Sequence, residues 1–259
     1  MDLREVIDQA RAVFDGSGVE ARPPRYPEAA VEIGPDRITA VRIGAEGKER
    51  TPALRAFASE PLPAGAIEPS LTRPNILAPE PVALALRRVI DRVGPGEHRI
   101  SLLIPDDVAR VALLSFATLP RTRREIHDLA RFRMAKSLPF KPEEALLDVN
   151  VLSGGPAVPA GPGGASVLAV FIHRAVVEQY EALVKGCGLW PGLVGLPTFE
   201  LYNLFRPVLE KARGSGKDVL LVNATRAYLS LLIFRDDDLL FYRCKPYAPG
   251  DGLGDGTQD

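Results

Sequence analysis

Glycine and proline interrupt this sequence at close intervals, which limits the chain to short secondary-structure elements. It has 23 glycines and 24 prolines among 259 residues, against the roughly 12% that these two residues make up in an average soluble protein. Between the breaks, apolar residues recur either at every second position, as in strands, or at helical spacing. The pattern therefore predicts a mixed α/β protein. Its length fits one large domain or two modest ones.

Composition and charge exclude several classes of protein. With 46% hydrophobic and 25% charged residues, the chain matches the average globular protein, which excludes wholesale disorder, collagen and coiled coil as its main architecture. Its 32 basic and 33 acidic side chains give a formal net charge of −1, so no overall positive field attracts nucleic acid. No apolar run approaches the roughly 20 residues that span a bilayer, and the acidic amino end differs from a signal peptide. We therefore expect a cytoplasmic protein without a nucleic-acid partner.

Common signatures of catalysis and metal binding are missing from the sequence. Cys187 and Cys244 have no neighbouring Cys or His at ligand spacing, and the three histidines lie far apart in the chain. No Gly-x-Ser-x-Gly elbow, His-Glu-x-x-His motif or Walker-type loop occurs. We therefore predict no catalytic residue, no disulfide and no metal site.

The amino-terminal segment predicts an amphipathic helix. Its apolar residues form one stripe at helical spacing: Leu3, Val6, Ile7, Ala10, Val13 and Phe14. Its polar face is acidic, with Asp2, Glu5, Asp8 and Asp15. A proline-containing connection at 21–28 separates this helix from the rest, so it would dock on the body of the protein, on a partner or on a membrane. The membrane is the least favoured of these, because anionic lipid attracts Lys and Arg.

The remaining sequence alternates between strand and helix patterns. Strands are predicted at 30–43, in two runs about a turn at 34–36, and at 53–59, 100–104, 108–116, 145–152, 166–172, 193–196, 219–223, 228–234 and 239–243. Helices are predicted from Pro81 to just before Gly94 and at 122–137, 174–185 and 199–212. We expect no regular element in the Gly- and Pro-rich connection at 153–165, and the tail at 248–259 is predicted to be flexible.

The helix predicted at 122–137 combines an imperfect apolar face with a basic one. The apolar positions are Ile126, Leu129, Phe132 and Met134. Glu125 and Asp128 oppose six cations: Arg121, Arg123, Arg124, Arg131, Arg133 and Lys136. Two interpretations stay open. The cations, above all Arg121, Arg124, Arg131 and Arg133, would bind acidic partner segments or lipid headgroups, or they would form a solvated face paired with nearby acids.

Several short motifs, in this order and spacing, carry a resemblance to a known family. They are Glu32-Ile33-Gly34, Leu62-Pro63-Ala64-Gly65-Ala66-Ile67, Leu119-Pro120, Leu138-Pro139-Phe140 and Asp148. Over residues 30–245 the sequence resembles the PilM family of type IV pilus assembly proteins, members of the actin-like superfamily related to FtsA. The resemblance implies an α/β fold with an actin-like (ribonuclease H-like) lobe, an inserted strand-helix-strand-strand module and an incomplete second lobe.

This resemblance also implies a division of the chain into four parts. Residues 1–29 would form the amino-terminal helix and its linker. Residues 30–105 and 174–213 would form the first actin-like subdomain, and residues 106–173 the inserted module. Residues 218–259 would form the shortened second lobe and its tail.

Actin-like proteins hold ATP between two turns, and both turns are altered here. The family's first turn has Asp-x-Gly, small residues and a lysine, because backbone N–H groups must approach the phosphates and a carboxylate must hold magnesium. In this chain Glu32 replaces the Asp before Gly34, and Thr39 occupies the lysine position. Pro35 removes a backbone donor, and Asp36 adds negative charge. Each change opposes phosphate binding.

In the second turn Asn223 stands at the Asp position and Thr225 at the Gly position. A neutral amide does not supply the charge that magnesium requires, and a β-branched residue resists positive φ. The residues that build the family's adenine pocket would lie beyond Asp259. Glu32, Gly34, Thr39, Asn223 and Thr225 are thus interpreted as a degenerate nucleotide site, weak or inactive, so that ATP and magnesium are disfavoured as cofactors and no enzymatic activity is expected. The alternative is that Glu32 and Asn223 still coordinate weakly.

The resemblance then implies binding rather than chemistry. PilM-family proteins lie on the cytoplasmic face of the inner membrane and capture the amino-terminal peptide of the bitopic protein PilN beside the inserted module. We therefore expect a non-catalytic adaptor of a type IV pilus or a related type II secretion machine, peripheral to the membrane through its partner. The alternative is a nucleotide-dependent actin-like ATPase or polymer-forming protein.

Overall fold

The computed structural model describes residues 27–46, 51–94, 98–153, 164–210, 217–235 and 238–247, and the chain divides into two compact units. Unit 1 is formed by Met1–Ser70, Pro74–Asp106 and Val177–Arg206. Unit 2 is formed by Leu71–Arg73, Asp107–Val176 and Pro207–Asp259. The predicted amino-terminal helix and the predicted tail lie outside the described residues. The four-part division remains a prediction.

Strands and helices alternate as the sequence patterns indicate. The strands are β1 (Ala29–Ile33), β2 (Arg37–Glu46), β3 (Thr51–Pro61), β4 (Arg99–Leu103), β5 (Ala109–Phe116), β6 (Ala145–Ser153), β7 (Ala165–His173), β8 (Trp190–Gly195), β9 (Asp218–Ala224), β10 (Tyr228–Arg235) and β11 (Asp238–Pro246). The helices are α1 (Pro79–Val93), α2 (Arg123–Met134), α3 (Arg174–Gly186) and α4 (Pro197–Glu210), with 3-10 turns at Asp106–Val108 and Pro142–Glu144.

Unit 1 contains a five-stranded mixed sheet in the order β3-β2-β1-β4-β8. β1, β2 and β3 form an antiparallel meander, whereas β4 and β8 add in parallel on the other side of β1. Helix α1 lies over β2 and β3. Its buried stripe is Val82, Ala85, Leu86, Val89, Ile90 and Val93. This face of α1 and the strand residues beneath it form one apolar core, whose burial stabilises the unit.

The ends of α1 follow the expected chemistry, except that it starts earlier than predicted. The helix begins at Pro79 rather than Pro81, because the first turn of a helix accepts proline without losing a hydrogen bond. It ends as predicted at Gly94, which adopts φ +60° and donates its N–H to the carbonyl of Ile90. Glycine is favoured there because positive φ strains other residues.

Unit 2 contains a strand-helix-strand-strand module with the sheet order β5-β7-β6. Helix α2 begins with a capping box, in which Thr122 accepts from the N–H of Glu125 while the Glu125 carboxylate accepts from Thr122. One face of α2 is buried in the module core through Ile126, Ala130 and Met134. Phe132, predicted on the apolar face, is instead 82% exposed. The reason is geometric, since residues four apart align on one face and position 132 falls on the opposite one.

The second sheet of unit 2 is an antiparallel meander in the order β11-β10-β9. Its buried face includes Tyr228, Ser230, Leu232 and Phe234, which alternate along β10. None of the helices in the described part of the chain is long and apolar enough to cross a membrane.

Candidate functional site

The turn between β1 and β2 is closed by its own backbone. The N–H of Gly34 donates to the carbonyl of Arg37 at 3.0 Å, and the carbonyl of Asp36 accepts from Leu62 at 2.7 Å. The carboxylate of Asp36 pairs with the guanidinium of Arg37 at 3.2 Å. The Gly34 N–H, which a phosphate would need as a donor, is therefore already engaged.

Glu32 sits in an environment that disfavours its charged form. Burial raises the pKa of the Glu32 carboxyl, and the negative charges of Asp106 and Asp36 raise it further. Its register partner on β2 is Thr39, whose hydroxyl lies 3.3 Å from that of Ser59. A carboxyl whose raised pKa favours the protonated form is a poor ligand for magnesium. The environment of Glu32 therefore offers little support for metal or nucleotide binding at this position.

Asp106 is a fully buried acid that the sequence analysis did not single out. Its carboxylate accepts from the backbone N–H of Thr198 at 3.2 Å and from the Thr198 hydroxyl. Thr198 lies in the first turn of α4, where unpaired N–H groups and the helix dipole favour negative charge. Leu196 precedes α4 and has no side-chain acceptor for the N–H groups of the first turn. The Leu196-Pro197 sequence is therefore a local signal that an acid from elsewhere in the chain caps this helix.

A half-buried amide, that of Gln179, positions the loop that carries the Leu62–Ile67 motif. The side-chain oxygen of Gln179 on α3 accepts from the N–H groups of Asn75 and Ile76, at 2.7 and 3.1 Å. Its side-chain nitrogen donates to the carbonyl of Ile76 at 3.0 Å. Ile67 bridges to Ile76, and both are buried. In this structure the motif is therefore a packed loop held by α3, a role that no local pattern indicated.

The turn between β9 and β10 is built around a threonine hydroxyl. Thr225 donates its N–H and its hydroxyl to the carbonyl of Tyr228, both at 3.0 Å. The same hydroxyl accepts from the N–H groups of Ala227 and Tyr228, at 3.2 and 3.0 Å. Asn223 lies two residues earlier, in register with Ser230. Thr225 thus satisfies its own turn, as Ser and Thr commonly do.

These five residues lie in two different units. Glu32, Gly34 and Thr39 belong to unit 1, whereas Asn223 and Thr225 belong to unit 2. A joint nucleotide site formed by them remains a prediction. Among the residues that the structure describes, no group of three or more His, Cys, Asp or Glu side chains is arranged to hold a metal ion.

The arginines of α2, together with Arg121 just before it, separate into two groups. Arg131 donates to the carbonyls of Pro142 and Ala145, and Arg123 pairs with Asp148 at 3.0 Å, so both are engaged inside the module. Arg121, Arg124 and Arg133 are exposed and have no ion pair or hydrogen bond with any described residue. The interpretation as a solvated ion pair therefore fits Arg123, and binding of a partner by Arg121, Arg124 and Arg133 remains a prediction.

His127 lies on the same helix, between these two groups. Burial lowers the pKa of its imidazole, and the positive charge of Arg123 lowers it further. His127 is therefore neutral at physiological pH, and it adds no charge to this surface.

The fold class follows from these elements. A meander extended by parallel strands, an inserted three-stranded module and a second meander make up the α/β fold that the sequence predicts. No protein-family model and no curated protein matches the chain. Among solved structures, a chain of the PilM-PilN type IV pilus biogenesis complex matches with a TM-score of 0.71 at 20% identity, over 85% of this chain and 62% of that one. The predicted actin-like, PilM-like fold is thereby confirmed.

Two further solved structures match with lower TM-scores. The cytoplasmic domain of EpsL, an inner-membrane component of the type II secretion system of Vibrio cholerae, matches at 12% identity and a TM-score of 0.47, over 84% of this chain and 70% of that one. A protein of unknown function with an actin-like ATPase fold from Bacteroides thetaiotaomicron matches at 8% identity and a TM-score of 0.46, over 89% and 74%. The present chain spans less than two thirds of the length of the matched chain in the PilM-PilN complex.

Proposed function

We propose that this chain is a non-catalytic adaptor in the inner-membrane assembly complex of a type IV pilus or a related type II secretion machine. The observation that carries the proposal is the fold shared with a chain of the PilM-PilN complex over 85% of the present sequence. The protein would act in the cytoplasm and reach the inner membrane through its partner. Nucleotide-dependent proteins have this fold too. The chemistry of the two turns therefore bears on the choice between an adaptor and an ATPase.

Both turns support binding without catalysis. The Gly34 N–H is engaged by Arg37, and the Thr225 hydroxyl is engaged by its own turn. Burial raises the pKa of the Glu32 carboxyl, and the charges of Asp106 and Asp36 raise it further, so the group that would hold the magnesium hydration shell tends to stay protonated. An ATPase needs donors and carboxylates that remain free for phosphate and magnesium. In these two turns the donors and the carboxyl are instead engaged by contacts within the fold.

The partner is the cytoplasmic amino-terminal peptide of a small bitopic membrane protein similar to PilN. An extended peptide gains main-chain hydrogen bonds and side-chain burial when it lies along a groove. Arg121, Arg124 and Arg133 would contact its acidic positions, and Arg131 would hold the helix against Pro142 and Ala145. Charge pairs of this kind set specificity and association rate more than total affinity.

The test is a binding titration with the full chain. The probe is a fluorescent peptide of the cytoplasmic amino-terminal residues of a PilN protein. We expect saturable binding, weakened about tenfold by Arg124→Glu with Arg133→Glu, which corresponds to about 1.4 kcal/mol. Arg87→Glu is the matched control, because Arg87 is also an exposed helical arginine. Absence of saturable binding would refute the adaptor function.

A second titration addresses the ATPase alternative. Melting is followed with and without millimolar magnesium ATP, because a ligand that binds only the native state raises the melting temperature. We expect no shift. A rise of several degrees that Gly34→Ala and Asn223→Ala abolish would favour a nucleotide-dependent protein instead.

A further inference from the structure

Strand β9 forms one edge of the second meander, and a comparison with the first meander shows what this edge lacks. In the first meander the N–H of Gly34 donates to the carbonyl of Arg37, and in the second the N–H of Thr225 donates to the carbonyl of Tyr228. β9 therefore corresponds to β1, which pairs with β4 on the side away from β2. Among the described strands, none pairs with β9 on that side.

The hydrogen bonds of the β9–β10 hairpin determine which backbone groups of β9 point outward. In an antiparallel pair, residues that exchange hydrogen bonds alternate with residues whose N–H and C=O groups point away from the partner strand. The bond from Thr225 to Tyr228 sets this alternation, so the odd-numbered residues of β9 bond to β10. The N–H and C=O groups of Leu220 and Val222 therefore point to the outer edge of the sheet.

The edge of β9 lacks the features that usually keep an edge strand from pairing with another chain. Prolines, cations and bulges are common protective features. β3 contains two prolines and β11 contains an arginine, a lysine and a proline, and both strands have a register shift. β9 has no proline, no cation and no register shift. Its one charged residue, Asp218, pairs with Arg235 on β10 at 2.7 Å.

The sequence of β9 is complementary to itself in one antiparallel register. When two copies pair about a twofold axis at Leu221, Leu220 of each copy lies opposite Val222 of the other. Both residues have outward-pointing backbone groups, so each such pair exchanges main-chain hydrogen bonds. The same register places Asp218 opposite Ala224, so no like charges meet. A twofold axis at Leu220 would instead place Val222 opposite the charged Asp218.

We propose that two copies of this chain pair through β9 as antiparallel strands about a twofold axis at Leu221, which joins two three-stranded meanders into one sheet. Leu220 and Val222, 57% and 50% exposed in a single copy, then form apolar cross-strand pairs. One strand from each copy makes a small interface, so the dimer is in equilibrium with the monomer. This dimer depends neither on the adaptor function nor on the peptide partner.

Sedimentation of the full chain over a micromolar to millimolar concentration series tests the dimer. We expect the mass to shift from monomer to dimer as the concentration rises. Leu220→Lys with Val222→Lys places lysine opposite lysine and should leave only monomer, and Leu220→Glu with Val222→Glu should do the same. A mixture of these two variants places lysine opposite glutamate and should restore the dimer.

The matched control introduces the same two lysines on β3. Leu54→Lys with Phe57→Lys changes side chains of similar exposure, 65% and 63%, and should dimerise like the unmodified chain. Three results would overturn the proposal: an unmodified chain that stays monomeric, a lysine variant of β9 that still dimerises, or a mixture of the lysine and glutamate variants that stays monomeric.

Disulfide formation tests the register. Only the residue on the twofold axis lies opposite its own counterpart, at a Cα separation of about 4.5 Å, which a disulfide can span. In a chain with Cys187→Ser and Cys244→Ser, mild oxidation should link two copies through Leu221→Cys. Val219→Cys should stay monomeric, because it lies opposite Asn223 of the other copy. Absence of linkage through position 221, or equal linkage through both positions, would contradict pairing about Leu221.

Discussion

The meander of β1–β3 and the meander of β9–β11 use the same backbone plan and different side chains. Both turns close through the same pair of main-chain bonds. In the first, the half-buried Glu32 lies before the turn and a helix covers the sheet. In the second, a threonine hydroxyl completes the turn and the corresponding sheet face is exposed. The two meanders thus share a turn geometry but differ in the side chains that surround the turn.

The largest expected difference lies in the two sheet faces. Leu86→Ala removes a fully buried side chain of α1 and should lower the free energy of unfolding by about 3 kcal/mol, as other buried Leu→Ala changes do. Leu220→Ala removes a side chain that is more than half exposed, and should cost about 1 kcal/mol or less. Urea denaturation of both variants measures the two values. Equal costs would mean that the exposed face of the second meander is as well packed as the face of the first meander beneath α1.

The second prediction concerns the acid that serves α4. Asp106→Ala removes the acceptor for the N–H and hydroxyl of Thr198 and should cost about 2 kcal/mol, because buried donors then lack a partner. Asp106→Asn keeps one acceptor and should cost less. Urea denaturation compares the two. If Asp106→Ala left stability unchanged, the helix end would not depend on this carboxylate.

The sequence is sufficient to predict strands of both meanders, but it is insufficient to predict the role of Asp106. Local patterns predict β1, β2, β9 and β10, since a strand needs only alternation and a turn needs only its own residues. Asp106 and Thr198 are 92 positions apart. Nothing in the neighbourhood of either residue indicates the other, so their hydrogen bond needed the tertiary structure.

Helix α2 shows a second limit of sequence patterns. Its existence and its Thr122 cap follow from local residues, yet its buried face was assigned partly wrongly, because Phe132 is more hydrophobic than Ala130. Alanine is small enough for helix and sheet to approach closely, so geometry selects it over the larger side chain. The hydrogen bonds from Arg131 to the carbonyls of Pro142 and Ala145 were not predicted either, because they depend on how the helix packs in the folded module.

The third prediction compares the two turns directly. Thr225→Val keeps the shape of the side chain but removes the acceptor for the N–H groups of Ala227 and Tyr228, and should cost about 1 kcal/mol. Gly34→Ala places a Cβ 3.3 Å from the carbonyl oxygen of Arg37, where φ is not positive, and should cost about 0.5 kcal/mol. Thermal unfolding ranks them. A larger cost for Gly34→Ala would show that the first turn is the more constrained one.

The last prediction uses opposite pH dependences in the two units. Burial and the nearby acids raise the pKa of Glu32 in unit 1, so its folded form holds a proton that the unfolded form releases. Its contribution to stability is complete below the unfolded pKa and is lost as the pH rises through the folded value. Hydrogen bonds from Arg235 lower the pKa of Asp218 in unit 2, so its contribution is present above the unfolded pKa and is lost on acidification.

Removing each charge should therefore change stability in opposite directions at neutral pH. Glu32→Gln should raise the free energy of unfolding at pH 7 relative to its effect at pH 4, because it abolishes the cost of ionising a buried carboxyl. Asp218→Asn should lower it at pH 7, by a smaller amount, because solvent screens an exposed pair. Urea denaturation at both pH values measures the two changes. If Glu32→Gln did not change the free energy of unfolding at pH 7, Glu32 would ionise there without an energetic penalty. The first turn would then contain a charged carboxylate able to hold magnesium.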